Sequence, residues 1–181
     1  MSKIFANNNP DAFAIVDDDV FEIIKEMKLK FCINNNGYFI STTKTQLHGM
    51  TKKKQLLLHH FVWLLKTGEE PMSTVDHIDR NKSNNQFSNL RLATKQEQSQ
   101  HRSRQKNNTS GYVGVYHKVD KRGNGYRDYW CTRIKRQDGK NESKYFHFTE
   151  AGKIEAGKYY DKKAREYFGD FCGELNFPDD N

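Results

Sequence analysis

The chain has 181 residues, of which 35% are hydrophobic and 29% are charged, and it carries 12 Phe and 9 Tyr. This composition fits one medium domain or two small ones and excludes a disordered chain, because so many aromatic side chains are useful only when they are packed. The apolar run Leu56–Leu65 is too short to span a bilayer, the N-terminus lacks the apolar stretch of a signal peptide, and the cysteines show neither disulfide nor zinc spacing. We therefore expect a soluble, intracellular protein without a membrane partner.

The net charge of +7 is concentrated in one part of the chain. Residues 101–148 contain 12 basic and 4 acidic side chains, whereas residues 149–181 contain 5 basic and 8 acidic ones. A local excess of basic residues interleaved with aromatic ones is typical of a surface that binds a polyanion. A solvated face that only keeps the protein soluble has the same composition, so charge alone does not decide the function.

The N-terminal part of the chain predicts a small α/β arrangement. Residues 12–20 begin as a strand, and the acidic residues Asp17–Asp19 can cap a following helix in which apolar side chains recur at helical spacing. Two apolar triplets then flank residues 34–37, three asparagines and a glycine, which predict a hairpin turn.

The rest of the chain predicts a loop-rich centre and a second folded part. The run 56–65 is either a strand or the start of a helix, and a loop-rich stretch at 72–93 leads to a polar helix from about Thr94. The run 104–111 has no apolar residue and predicts a linker. Three strands and then a helix, which together predict a compact α+β unit, follow at Tyr112–His117, Tyr129–Lys135, Ser143–Phe148 and Thr149–Phe168.

The densest set of chemically active side chains lies between residues 75 and 91. Asp76 and His77 are adjacent there, and several asparagines follow that can tie an irregular loop together through its backbone groups. Hydrolysis of a phosphodiester needs a water activated near neutral pH and stabilisation of charge on the leaving oxygen. A histidine titrates in the range of such a base, and a divalent cation held by oxygen ligands stabilises the leaving group. Since neighbouring strand residues point to opposite sides, Asp76 and His77 could serve the cation and the water respectively.

Residues 58–102 resemble the HNH homing-endonuclease family through Leu58-His59-His60, Val75-Asp76-His77-Ile78-Asp79, Asn81, Asn84-Asn85, Asn89-Leu90-Arg91, Thr94 and Glu97. The resemblance implies a ββα-metal unit, two strands and a helix that grip one divalent cation, Mg²⁺ or Mn²⁺. It also implies that Asp76 binds the cation, that His77 is the general base and that Asn89 braces the loop. Cleavage would leave a 3′-hydroxyl and a 5′-phosphate.

Two positions of this motif leave alternatives open. The family usually has Asn or His after the residue equivalent to Glu97, but this chain has Gln98, whose amide oxygen could complete the metal site. His101, three residues further along the same helix face, is the alternative ligand. His59 falls on a family position within an apolar run, where a hydrogen-bonded core histidine and a phosphate contact are equally compatible with the pattern.

A second resemblance covers residues 109–178, which contain Thr109-Ser110-Gly111-Tyr112, Gly114-Val115, Trp130 with Ile134, Gly139-Lys140, Phe148, Tyr160-Asp161 with Ala164, Phe168-Gly169-Asp170-Phe171, and Leu175-Asn176-Phe177-Pro178. These pieces resemble an AP2-type DNA-binding domain. The resemblance implies a three-stranded antiparallel sheet that packs on one helix and lies in the major groove of double-stranded DNA. The residues that it places toward the DNA are Tyr116, Lys118, Arg133, Lys135 and Lys144.

The sequence as a whole predicts an α+β protein with an N-terminal α/β extension (1–54), an HNH nuclease unit (55–104), a linker (105–111) and an AP2-like domain (112–178). We expect a metal-dependent DNA endonuclease that acts on double-stranded DNA as a monomer or weak dimer, without a small-molecule cofactor. The mobile-element character of the HNH family and the Asn- and Lys-rich composition indicate a virus, a phage or a selfish element as the source.

Two other functions are compatible with parts of the sequence. One is a non-catalytic DNA-binding regulator that retains a relic HNH unit, which the unusual Gln98 keeps open. The other is an RNA-binding module, which would also use a basic sheet but would not require Asp76 or His77.

Overall fold

A computed structural model of the chain describes residues 1–41, 55–101, 107–121 and 125–179, and it divides into two compact units, Met1–Lys95 and Gln96–Asn181. In the described part of the first unit, the elements in chain order are β1 (Ser2–Ala6), β2 (Asn9–Val16), α1 (Asp18–Glu26), β3 (Phe31–Ile33), β4 (Phe39–Ser41), β5 (Leu56–Leu57), α2 (Leu58–Thr67), β6 (Thr74–His77) and β7 (Leu90–Ala93). From the boundary onward they are α3 (Lys95–Gln100), β8 (Val115–Asp120), β9 (Arg127–Lys135), β10 (Asn141–His147) and α4 (Glu150–Phe168). The mixed α and β content is as predicted.

The hairpin predicted around residues 34–37 is confirmed, as β3 and β4 pair in antiparallel fashion on either side of it. The Asn34 side chain stabilises the turn, because its Oδ1 accepts hydrogen bonds from the backbone N–H groups of Asn36 and Tyr38, both at 3.0 Å. Gly37 has a φ of 79°, a conformation that side chains disfavour and glycine adopts easily. β5 pairs with the other side of β4 and completes a three-stranded sheet.

Helix α1 begins after Asp17, but the predicted capping by this side chain is not observed. Asp17 Oδ2 instead accepts a hydrogen bond of 2.8 Å from the backbone N–H of Phe87, 70 residues away in the chain. Asp17 therefore joins the start of α1 to the segment that precedes β7.

The run 56–65 combines both of the predicted alternatives, since it contains β5 and most of α2. Helix α2 ends at Thr67 and is capped by Gly68, which has a φ of 76° and donates its N–H to the Leu64 carbonyl at 2.8 Å. β6 and β7 then pair in antiparallel fashion, and α3 follows in the ββα order that the resemblance implies.

The N-terminal strands and the β6–β7 pair belong to one hydrophobic cluster, whose buried side chains include Val16, Phe31, Phe61, Val75 and Leu90. The backbone joins them as well. The N–H of Ile15 in β2 donates to the Ser83 carbonyl, and the N–H of Asn85 donates to the Ile15 carbonyl, both at 2.7 Å. The loop between β6 and β7 is therefore held by a strand from the N-terminal segment.

In the second unit, β8, β9 and β10 form an antiparallel sheet in the order β10-β9-β8, and α4 packs on one face of it. The three predicted strands and the predicted helix are thus present. Thr149 caps α4, because its Oγ1 accepts a hydrogen bond of 3.1 Å from the N–H of Gly152. The first strand begins at Val115, three residues later than predicted. Gly114 before it has a φ of 68°, and a Cβ there would lie 2.0 Å from the Tyr160 ring.

The predicted linker lies only partly within the described residues, because residues 104–106 fall outside them. Residues 107–111 belong to the second unit, where Ser110 is buried at 3% exposure. The Ser110 hydroxyl donates to the carbonyl of Val115 at 2.7 Å. This end of the predicted linker is therefore part of the folded structure.

Candidate functional site

His77 is the last residue of β6, where the β6–β7 pairing places it opposite Leu90 and places Asp76 opposite Arg91. It is buried at 4% exposure, and its Nε2 lies 3.2 Å from Oδ1 of Asn85. The His59 ring from α2 meets the His77 ring edge-on at 5.1 Å between centroids, and the Tyr38 ring lies 6.4 Å from it. We call His77, Asn85, His59 and Tyr38 the His77 cluster.

Burial keeps both histidines of the cluster neutral. Burial lowers the pKa of His77, although the hydrogen bond with Asn85 and the charges of Asp79 and Asp76 oppose this effect. Burial, with the neighbouring His77 and His60 rings, lowers the pKa of His59 to about 3. At neutral pH the His77 imidazole is therefore uncharged, which is the form that can accept a proton. Of the two alternatives for His59, a core histidine or a phosphate contact, its exposure of only 4% favours the core histidine.

Asp76 has a carboxylate that is largely buried, with the residue at 8% exposure. Its Oδ2 lies 3.3 Å from Nη2 of Arg91, its cross-strand partner in β7. The Arg91 side chain is itself only 16% exposed. The guanidinium of Arg91 places a positive charge beside this carboxylate. Asp76 thus offers carboxylate oxygens next to the neutral His77.

Asn89 makes three hydrogen bonds within the loop that follows His77. Its Nδ2 donates to Asp79 Oδ1 at 2.9 Å and to the Asn84 carbonyl at 2.8 Å, while its Oδ1 accepts from the Asp79 N–H at 3.1 Å. The Asn84 side chain also donates to Asp79 Oδ2 at 2.8 Å. Burial raises the pKa of Asp79, but the hydrogen bonds from Asn84, the Asn81 N–H and Asn89 outweigh it, so this pKa is lowered overall. An anionic Asp79 at the centre of these donors holds the loop after His77.

The remaining candidate ligands lie beyond the boundary between the two units. Gln98 is in α3, and the N–H of His101 continues the helical pattern by donating to the Glu97 carbonyl at 2.9 Å. Whether Gln98 or His101 completes a metal site with Asp76 stays a prediction. Within the described residues, no group of three or more His, Cys, Asp or Glu side chains is arranged to hold a metal ion.

The structure also brings in two residues that the sequence interpretation quoted without a role. Asn85 contacts His77, and Arg91 contacts Asp76. The eight-residue spacing from His77 to Asn85 carries no periodic signal, because the loop between them is irregular. The position of Arg91 opposite Asp76 depends on the β6–β7 register, which only the folded loop determines.

In the second unit, the sheet face opposite α4 carries four of the five predicted DNA-facing residues. Tyr116 and Lys118 alternate along β8, and Arg133 and Lys135 alternate along β9. Register places Tyr116 beside Cys131 and places Arg133 beside Ser143, so these side chains share one face with Tyr145. Tyr116 is 37% and Tyr145 is 49% exposed, and Nζ of Lys118 donates to Oη of Tyr145 at 2.6 Å. We call this surface the outer face.

Lys144 does not share the outer face as expected. It pairs with Thr132, which is buried on the helix side of the sheet, whereas Arg133 pairs with Ser143. Its Nζ lies 4.5 Å from the centre of the Tyr159 ring, and Tyr159 is a residue of α4. Lys144 is thus an exposed residue whose ammonium group makes a cation–π contact at the edge of the sheet–helix interface.

Comparisons with known proteins point to the segment that holds Asp76, His77 and Asn89. Residues 56–100 match the model of the HNH endonuclease family. A relative described as an uncharacterized HNH endonuclease of Acanthamoeba polyphaga mimivirus is 37% identical over 97 residues, which are 52% of this chain and 46% of the relative. The match thus spans less than half of that relative. No solved structure matches the chain. The predicted resemblance to HNH endonucleases is confirmed, and the AP2-like resemblance stays a prediction.

None of the helices in the described ranges has both the length and the apolar character needed to cross a membrane.

Proposed function

We propose that this protein is a divalent-cation-dependent HNH endonuclease that hydrolyses phosphodiester bonds of double-stranded DNA. The observation that carries the proposal is the buried, neutral His77 beside the carboxylate of Asp76, at the end of a strand within the segment that matches HNH endonucleases. A neutral imidazole next to an oxygen donor for a cation is the pair of groups that phosphodiester hydrolysis requires.

In this proposal His77 is the general base. It takes a proton from a water molecule whose oxygen forms a bond to phosphorus, while the bond between phosphorus and the 3′-oxygen breaks. The products are a 5′-phosphate and a 3′-oxygen that takes up a proton to become a hydroxyl. Asn89 positions the loop through Asp79, and the Asp76–Arg91 contact holds the carboxylate in place.

The cation would be Mg²⁺ or Mn²⁺, which prefer oxygen ligands. In this proposal Asp76 would supply a carboxylate oxygen and Gln98 an amide oxygen, with the His101 imidazole as the alternative to Gln98. Mg²⁺ in nucleases keeps several waters and is bound through one or two carboxylates together with phosphate oxygens, so a small protein donor set suffices. The bound cation would stabilise negative charge on the leaving oxygen.

The second unit would supply affinity and position on the DNA through an AP2-like domain. Supporting this, Tyr116, Lys118, Arg133 and Lys135 share the outer face, and the two β9 cations are exposed. Cations neutralise phosphates and fix register on a duplex, while aromatic side chains contact sugars and bases. Lys144 is not part of this contact set, since it lies on the helix side.

The test is cleavage of a supercoiled plasmid by the purified full chain in Mg²⁺ or Mn²⁺, with His77→Ala and His117→Ala alongside. His117 is the matched control histidine, because it lies in the second unit, paired with Asp128 at 2.6 Å. We expect nicked or linear plasmid from the wild type and from His117→Ala, and none from His77→Ala. Cleavage by the His77 variant would contradict the mechanism. No cleavage by the wild type in either metal would favour the non-catalytic DNA-binding regulator.

A further inference from the structure

We propose that Asn85 selects the tautomer of His77 that can act as a base, by holding the ring proton on Nε2 and leaving the lone pair on Nδ1. The catalytic meaning of this role rests on the proposed function, but the tautomer itself is a property of the folded protein. Asn85 is a positioning residue here, since it acts through His77 and needs no contact with the substrate.

The first step is the contact between the two side chains. Oδ1 of Asn85 lies 3.2 Å from Nε2 of His77, and Asn85 is buried at 1% exposure while His77 is at 4%. An amide oxygen can only accept a hydrogen bond. A neutral histidine that faces it with Nε2 must therefore carry its proton on that nitrogen, so Nδ1 is the acceptor.

The second step is the orientation of the Asn85 amide, which its other end determines. Nδ2 of Asn85 donates to the carbonyl oxygen of Lys82 at 3.0 Å. The flipped amide would bring its oxygen against the Lys82 carbonyl and its N–H₂ against Nε2, so two acceptors would meet in a buried place. Such unsatisfied buried groups cost free energy, so the Lys82 carbonyl keeps Oδ1 pointed at His77.

The third step is the position of Asn85 itself. Its N–H donates to the Ile15 carbonyl at 2.7 Å, and the Ile15 N–H donates to the Ser83 carbonyl at 2.7 Å. Two residues further on, the Phe87 N–H donates to Asp17 at 2.8 Å. β2 and the start of α1 therefore clamp the backbone on both sides of Asn85, and the amide has little freedom to leave His77.

The fourth step is the consequence for catalysis. A base is useful only when its lone pair faces the water to be activated, so a ring whose proton can move between its two nitrogens spends part of its time in the inactive form. The His59 and Tyr38 rings lie 5.1 and 6.4 Å from the His77 ring between centroids, whereas the hydrogen bond described for the His77 ring is the one with Asn85. Asn85 is the side chain whose contact distinguishes the two tautomers.

The experiment measures the tautomer directly by NMR on the ¹⁵N-labelled full chain at pH 7.5, using two-bond couplings between the imidazole nitrogens and ring carbon-bound protons. His77→Gln identifies the His77 signals by their disappearance. We expect the wild type to show His77 only as the Nε2–H tautomer. An Nδ1–H pattern in the wild type would overturn the proposal, whether or not the protein cleaves DNA.

The paired variants are Asn85→Leu, which keeps the side-chain size, and Asn8→Leu as the matched control. The Asn8 amide, like that of Asn85, makes two hydrogen bonds, but both are to the backbone of Ile33, with its N–H at 2.9 Å and its carbonyl at 2.8 Å. We expect Asn85→Leu to show both tautomers and a kcat lower by roughly 10- to 100-fold with little change in KM. Asn8→Leu should lose stability but keep the wild-type tautomer and kcat.

An Asn85→Leu protein that keeps the pure Nε2–H form and the wild-type kcat would overturn the proposal. If Asn85→Leu does not fold, the wild-type tautomer still decides. A wild type that has the Nε2–H form but cleaves no DNA would contradict the proposed function alone and leave the assignment of the tautomer supported.

Discussion

The His77 cluster and the outer face of the sheet use polar side chains in opposite ways. His77 and Asn85 are buried and hydrogen-bonded to each other, and His77 is uncharged at neutral pH. On the outer face, Arg133 and Lys135 are exposed cations that a polyanion can reach. A general base must be in its proton-accepting form and held in one orientation, whereas a phosphate contact works best when the charge is accessible and free to adapt. The comparison predicts that changes in one region alter rate and changes in the other alter affinity.

The largest expected effect is that of His77→Ala on the cleavage rate. His77→Ala should lower the cleavage rate by roughly 10²- to 10⁴-fold, because it removes the proton acceptor. Its affinity for a short duplex, measured by fluorescence anisotropy in Ca²⁺ to prevent cleavage, should match that of the wild type. A matching loss of affinity would show that His77 contributes to binding and would break the division between chemistry and contact.

The reverse experiment changes the outer face. Arg133→Ala combined with Lys135→Ala should weaken duplex binding by about 10- to 100-fold at 0.1 M salt and reduce the slope of log affinity against log salt by about 2, because two phosphate contacts are lost. Metal binding, followed by calorimetry with Mn²⁺, should not change. An unchanged salt slope would remove these two cations from the DNA contact, and lost Mn²⁺ binding would show that the two regions are not separable.

A smaller effect concerns the stability of the first unit at acid pH. The pKa of His59 is about 3 in the folded protein, below its unfolded value, so the unfolded chain binds the extra proton as the pH falls. Stability should therefore be full above about pH 6.5 and decrease progressively toward pH 3, with His59 contributing a loss of about 2 kcal/mol by pH 5. His77 acts in the same direction, since its pKa is also lowered.

The measurement compares wild-type and His59→Phe proteins, because phenylalanine keeps a ring of similar size without a titratable group. Urea unfolding at pH 7 and pH 5 can be followed through the fluorescence of Trp63 in a Trp130→Phe background, so that only the first unit is observed. The loss between the two pH values should be about 2 kcal/mol smaller in the phenylalanine variant. Equal losses would mean that His59 is protonated in the folded state.

The smallest effect sharpens the assignment of faces on the sheet. Lys144→Ala should leave duplex affinity and its salt slope nearly unchanged, because Lys144 lies against Tyr159 on the helix side. It is the matched control for the outer-face variant, as it removes a cation from the same sheet. If Lys144→Ala reduced the slope of log affinity against log salt as much as one outer-face substitution does, Lys144 would contact the DNA.

Local patterns in the sequence predicted the local parts of the structure. The three asparagines and the glycine at 34–37 specify a turn through their own hydrogen bonds, and Thr149 caps α4 three residues before its donor. The asparagines after His77 also predicted an irregular loop tied together by side-chain hydrogen bonds, which Asn84 and Asn89 make to Asp79. Each of these features depends on groups close in the chain.

The features that could not be predicted depend on distant partners. Alternation shows that Lys144 and Phe146 share a face of β10, but which face of β9 they join depends on the turn that pairs Arg136 with Lys140. Asp17 stands at a typical capping position, yet the Phe87 N–H competes successfully for its carboxylate. The position of Asn85 depends on its backbone hydrogen bond to Ile15 in β2. No sequence motif connects β2 with the loop between β6 and β7.

The pairing of β2 with the loop at residues 83–85 also bears on how this segment can be moved between proteins. A recombination event or a designed fusion that transferred only the motif-bearing stretch from residue 55 onward would leave the backbone groups of Ser83 and Asn85 without Ile15. The transferable cassette is therefore larger than its recognisable motif and includes β1, β2 and α1. Grafts that begin at the motif should leave the loop after His77 poorly ordered, while those that include the flanking strands should keep it folded.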